Sequence, residues 1–166
     1  MTRAFLLALA AAVAVASTGE ASAARVVYAG PAWAAIDRGT SCAAMSRSEL
    51  EAPRGSDQAR ASISFDRTGA TPRHGQLHLR LSRPAGGGAQ AMLTIGDTQF
   101  LLVTRGPDAW SRDPAQDLAI IAAMRSANGM RIEARDTAGR RTVDRYMLNG
   151  APTAIDAAAA ACTRKR

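Results

Sequence analysis

The sequence predicts an α+β protein: an antiparallel, β-rich sheet or sandwich with two helices, the last helix tied by a disulfide to an N-terminal strand. Three observations predict it. Apolar and polar residues alternate with period 2 through most of the chain, as in Ala61, Ile63 and Phe65 set against Arg60, Ser62 and Ser64, and such alternation marks half-buried strands. Helical signals are only two and come late, at Asp113-Pro114-Ala115-Gln116 and in the Ala-rich run from Pro152. The chain has two cysteines, Cys42 and Cys162, towards opposite ends of the patterned region. Strands in series followed by helices favour an antiparallel sheet with helices against one side.

In chain order, residues 1–23 read as a secretory signal peptide. Arg3 is the positive start, Ala4 to Ala16 is an apolar run too short to span a bilayer comfortably, and Ala21-Ser22-Ala23 is a small-x-small cleavage site. Removing 23 of the 166 residues leaves 143, residues 24–166, which suit a single exported domain. Arg25 to Tyr28 reads as a strand ended by Gly30-Pro31. Trp33 to Ile36 and Ser41 to Met45 read as two more, around a turn at Asp37-Arg38-Gly39. Glu49 to Ala59, with Pro53 and Gly55, reads as a loop. Strands follow through Ala61 to Phe65 and Leu77 to Leu81, and Ala91 to Ile95 with Thr98 to Thr104 reads as a hairpin turned at Gly96-Asp97.

At the first helix Asp113 is the N-cap, Pro114 the first helical residue and Gln116 a capping-box partner. Ile120, Ile121, Met124 and Ala127 form its buried stripe, and Asn128-Gly129 ends it. Two more strands, Met130 to Ala134 and Arg141 to Leu148, flank a turn at Asp136 to Gly139. The final helix starts at Pro152 and places Ile155, Ala158, Ala159 and Cys162 on one face. Two cysteines in an exported chain pair most simply with each other, so Cys42 and Cys162 are expected to form a disulfide.

The net charge is +7 and Lys165 is the only lysine, so the positive charge is almost wholly arginine. A basic surface favours anionic partners such as lipid headgroups or acidic glycans, and export makes nucleic acid an unsuitable partner. The hairpin from Met130 to Leu148 decides how that charge is presented. If Arg135 pairs with Arg141, then Arg131 faces Arg145 and the four arginines line one face, a candidate anion-binding site. Like charges directly opposite destabilise a sheet. A register shifted by one sets Arg131 opposite Asp144 and Ile132 opposite Val143. The shifted register is the more self-consistent, and it leaves any anion binding weak and screened by salt.

No residue set points to catalysis, a cofactor or a metal. His74 and His78 are the only histidines, and on a strand four residues span about 13 Å, too far to share a metal. There is no Gly-x-Ser-x-Gly nucleophile motif. Gly86-Gly87-Gly88 lacks the Lys-Ser/Thr of a phosphate loop. Asp108, Asp113 and Asp117 cluster in sequence, but Asp113 has a capping role.

The C-terminal half resembles the invasion-associated locus B family of exported bacterial proteins. The resemblance lies in Thr98-Gln-Phe-Leu-Leu-Val103, Ile120-Ile-Ala-Ala-Met-Arg125, Met130-Arg-Ile132 and the closing run from Tyr146, where Leu148, Gly150 and Ala154 keep the family's spacing. It covers roughly the last 70 residues. Ala151 stands where the family has Phe, and Met147 where it has Ser. The resemblance implies a β-rich sandwich and a non-enzymatic role at the cell envelope or host interface, and it carries over no catalytic residue. The expectation is therefore a periplasmic or secreted binding protein, without enzymatic activity, whose partner is an envelope or host component, with peripheral membrane contact an option. The alternatives are a small periplasmic hydrolase using a carboxylate pair and a periplasmic protease inhibitor presenting the loop Glu49 to Ala59.

Overall fold

A computed structural model describes residues 24–52 and 57–164. The signal peptide read in residues 1–23 and the centre of the loop between Glu49 and Ala59 lie outside the described residues. Among the described residues ten strands form one sheet. In chain order they are β1 (Arg25–Ala29), β2 (Ala34–Asp37), β3 (Ser41–Arg47), β4 (Arg60–Asp66), β5 (His74–Arg80), β6 (Ala91–Ile95), β7 (Thr98–Arg105), β8 (Asp108–Trp110), β9 (Gly129–Arg135) and β10 (Arg141–Met147). Helix α1 (Pro114–Ser126) lies between β8 and β9, and α2 (Ala151–Thr163) follows β10. All pairings are antiparallel, in the order β1-β2-β3-β4-β5-β8-β7-β6-β9-β10. The α+β class, the antiparallel sheet and the two helices are as the sequence predicts.

Each strand sends one set of side chains inward. Ala35, Cys42, Ala44, Ala61, Ile63, Leu77, Leu79, Leu93, Leu102, Ile132 and Tyr146 are buried in one continuous core. Helix α2 covers β1 to β5, and α1 covers β5, β6 and β7. Alanine makes this cover close: Ala151, Ala154, Ala158 and Ala161 are all buried, so the helix lies almost on the strands. Ala159, expected on the same stripe, is only half-buried. Trp33 is the largest buried side chain, and its indole N–H donates to the Met147 carbonyl at 2.9 Å. The Glu49 amide, just past β3, donates to the Arg145 carbonyl of β10 at 2.8 Å. The sheet therefore bends back until its tenth strand meets the end of its third.

The caps of α1 follow the sequence. Asp113 Oδ1 accepts from the Gln116 amide at 2.8 Å, and Gln116 Oε1 accepts from the Arg112 amide at 2.7 Å. Its end differs: Ala127 leaves the helix in an extended conformation and Gly129 already belongs to β9, so no left-handed glycine cap is used. Gly150 does take a left-handed conformation, φ 85°, at the start of α2. There the chain turns sharply off β10 beside Tyr28 and Pro31, an approach that favours a residue without Cβ.

The disulfide forms as the sequence predicts, between Cys42 on β3 and Cys162 in the last turn of α2, with Cα atoms 5.6 Å apart. Beside it lies a buried ion pair that the sequence did not announce. Arg67 Nη1 and Nη2 reach Asp37 Oδ1 and Oδ2 at 2.8 and 3.1 Å, a bidentate fork. The same guanidinium donates to the carbonyls of Gly39 and Ala161, so it also satisfies the C-terminal end of α2.

Candidate functional site

The outward set of side chains on the sheet is where the arginines collect. The β9–β10 hairpin is built around Asp136. Its carboxylate accepts from the amides of Ala138 and Arg140, both at 2.9 Å, and from the Arg140 guanidinium at 3.0 Å. Its amide donates to the Arg140 carbonyl, and Gly139 has φ 75°. This closed loop of residues 136–140 fixes the register: Arg141 opposite Arg135, Val143 opposite Glu133, Asp144 opposite Ile132 and Arg145 opposite Arg131.

This corrects the shifted register favoured from the sequence. The reason is that Asp144 has an inward task. Its carboxylate accepts from the Ser82 amide at 2.9 Å and is 4 % exposed, while Val143 takes the outer face. The like-charged pairs are made tolerable by Glu133 between them. It accepts from Arg131 Nε at 3.0 Å and pairs with Arg141 Nη2 at 2.9 Å, and the two guanidinium groups, Arg141 foremost, hold its carboxyl below the usual glutamate value. Arg135 and Arg145 form no ion pair among the described residues. Two shallow depressions flank Glu133. One, about 370 Å³, is lined by Gln90, Met92, Leu101, Arg135 and Arg141; the other, about 230 Å³, by Glu49, Thr94, Arg131 and Arg145.

A second basic row escaped the sequence reading. Arg47 of β3 pairs with Arg60 of β4, Arg60 with Arg80 of β5, Arg80 with Asp108 of β8, and Asp108 with Arg105 of β7. Four arginines and one aspartate thus lie side by side across five strands on the outer face. Arg80 is held at both ends, by Asp57 at 2.6 Å and Asp108 at 3.2 Å. Arg47, Arg60 and Arg105 are exposed and form no ion pair among the described residues. Each of these arginines stands at an end of its strand, but the row exists only in the strand order β3-β4-β5-β8-β7.

The two histidines sit apart, His78 on this face and His74 on the helix side beside the last turn of α2. His78 pairs with Ser62 and Trp110, and its Nε2 lies 2.9 Å from Asp108 Oδ1. His74 is at the far end of β5, opposite Phe65. Among the described residues no group of three or more His, Cys, Asp or Glu side chains could hold a metal. The clustered aspartates separate by task. Asp113 caps α1, Asp108 serves His78 and Arg80, and buried Asp117 accepts from the Leu77 amide at 2.8 Å and from Ser111. Where carboxylate pKa values are displaced, at Asp57, Asp66, Glu133, Asp136 and Asp156, arginines or turn amides push them downward.

Comparison with known proteins gives no relative: no family model, no curated protein and no solved structure matches the chain. No helix among the described residues is long and apolar enough to cross a membrane. What the outer face offers chemically is a set of guanidinium groups in excess over carboxylates. Guanidinium forks match carboxylate, sulfate and phosphate groups geometrically.

Proposed function

We propose that the protein is an exported, non-enzymatic binding protein of the cell envelope or host interface, of the invasion-associated locus B type, which recognises an anionic partner through the outer face of its sheet. The observation that carries this reading is the β9–β10 register. It sets Arg131 against Arg145 and Arg135 against Arg141, with Glu133 as the one carboxylate among them. Glu133 offsets Arg131 and Arg141 but leaves Arg135 and Arg145 without an ion pair among the described residues, and a ligand that neutralises these would relieve the remaining repulsion. The disulfide is consistent with an extracytoplasmic address.

The test is retention of the mature chain on a sulfated polysaccharide matrix, with neutral dextran as control. Retention should fall steeply with salt, because exposed charges are screened over about 8 Å at physiological ionic strength. Replacing Arg135 and Arg141 together by Ser should shift elution to lower salt without lowering the unfolding midpoint. Unchanged elution of that double variant would remove the hairpin from the binding surface.

A further inference from the structure

We propose that the outer face around Trp110 is a site for an acidic sugar chain, with the indole as the platform for one sugar ring and Arg60 and Arg47 as partners for carboxylates on the following units. The inference rests on the reading that this face binds anions, and it names the ligand class.

The chain has two tryptophans, and they are used differently. Trp33 is 1 % exposed and hydrogen-bonded in the core. Trp110 is half-buried on the outer face of the short strand β8, between His78 and the exposed Val103. Its ring centroid is 5.5 Å from that of His78, with the planes tilted by 36°. A large apolar ring kept partly wet in mid-sheet, next to polar groups, is the arrangement that binds amphipathic ligands. Pyranose rings are such ligands: apolar C–H faces with hydroxyls at the rim. The groups around Trp110 are already oriented, since His78 and Arg80 are both held by Asp108. They can therefore meet hydroxyls without reorganising.

Charge and spacing give the sugar its acidity. Beyond Arg80, which is already paired, Arg60 and Arg47 lie in register on adjacent strands, so the step between these two is one strand spacing, about 4.8 Å. One unit of an extended sugar chain is of similar length, so successive uronate carboxylates would meet successive arginines. A bilayer fits less well. Among the described residues the other exposed large apolar side chains, Val26, Leu50, Leu118 and Met147, lie on β1, on the loop after β3, on α1 and on β10, none on a strand next to that of Val103. The sheet also bends back on itself, and a flat membrane would meet only part of its arginines. A flexible chain can follow the curve.

The experiment titrates the mature protein with an oligogalacturonate, its methyl ester and phosphatidylglycerol vesicles, following indole emission and calorimetry. With Trp33 enclosed, a change in emission reports Trp110. The acidic oligomer should bind with an emission change, and the methyl ester should bind about tenfold more weakly, a difference of about 1.4 kcal/mol. Trp110→Ala should weaken binding by a similar factor. Trp110→Phe, which keeps a ring, should retain most of the affinity, and the exposed Arg60→Ser should lose several-fold in a protein whose fold is not in question. Binding that leaves indole emission and the Trp110 and Arg60 variants unaffected would overturn this site while leaving the β9–β10 reading standing. Binding to vesicles alone would replace it with a membrane surface. Absence of binding to all three probes, together with no retention on the sulfated matrix, would remove both readings.

Discussion

Under α2, Arg67 and Asp37 pair in a site where the carboxylate side chain is 1 % exposed and the guanidinium 13 %. On β9 and β10, Arg131, Arg141 and Glu133 use the same two chemical groups with side-chain exposures of 46, 64 and 26 %. In the first place the pair is enclosed, its guanidinium also bonded to turn backbone and to the end of α2, with the exposed Arg25 reaching Asp37 from outside at 3.5 Å. In the second, guanidinium groups outnumber the carboxylate and point to solvent. An ion pair out of water is costly to break because the survivor is left unpaired, whereas an exposed pair contributes about 0–1 kcal/mol. The first region should therefore govern whether the protein folds, and the second what it meets.

The sharpest way to break that contrast is Asp37→Ala. It leaves Arg67 buried without its partner and is expected to cost about 3–5 kcal/mol, read as a lower midpoint in urea at unchanged slope. A loss below 1 kcal/mol would mean that the site is wet and the contrast false. Next comes the disulfide. Cys42 and Cys162 are 120 residues apart, and the loop-entropy account gives on the order of 4–5 kcal/mol for loops of that length, of which engineered cases deliver less. Cys162→Ser or reduction should cost about 2 kcal/mol, with α2 losing hydrogen-exchange protection before the central strands. Two reactive thiols in the oxidised, denatured monomer would contradict the pairing.

Acidification acts on the outer ion pairs. The carboxyls of Asp66, Glu133 and Asp156 are lowered in the folded state, in each case chiefly by an arginine hydrogen bond. Below the ordinary carboxylate range, about pH 4, the unfolded chain takes up protons that the folded one does not. These pairs therefore contribute their full stability above that range and lose it as the pH falls through the lowered values. The unfolding midpoint should be flat from pH 8 to about 5 and decline below about 4; a decline already at pH 6 would point to a group other than these. The smallest effect on stability is expected for Glu133→Gln, about 0.5–1 kcal/mol, accompanied by tighter retention on a polyanion. Weaker retention would show Glu133 to be an organiser of the arginines rather than their counter-charge.

The sequence carried the strands, the caps of α1, the face of α2 and the Cys42–Cys162 pair, because alternation, capping and cysteine count are local or nearly so. Strand β8 went unread, since three residues are too few for a period. The hairpin register went the wrong way for a reason outside the hairpin: Asp144 turns inward to the Ser82 amide, 62 residues away in sequence, and no rule about neighbouring strands contains that bond. The Asp37–Arg67 pair was hidden likewise. Arg67 follows the end of β4, and only folding brings it to Asp37 and to the end of α2. The arginines of β9 and β10 were visible as residues, but their alignment depended on the register. The row from Arg47 to Arg105 needed the strand order β3-β4-β5-β8-β7, with its β5–β8 neighbourhood, before it existed at all.

The packing of α2 on β1 to β5 also sets an order of events. Ala35, Cys42, Ala44 and Ile63 are covered by a helix roughly a hundred residues further along. A chain emerging from its amino end leaves that surface open until α2 arrives, and contacts so distant form late and slowly. Through that interval the Cys42 thiol remains available to the wrong partner. Oxidation with Cys162 then marks the point at which the first strands have found the helix that shields them. In a cell, the rate of that closure against the rate of mispairing would set how much usable protein each round of synthesis yields.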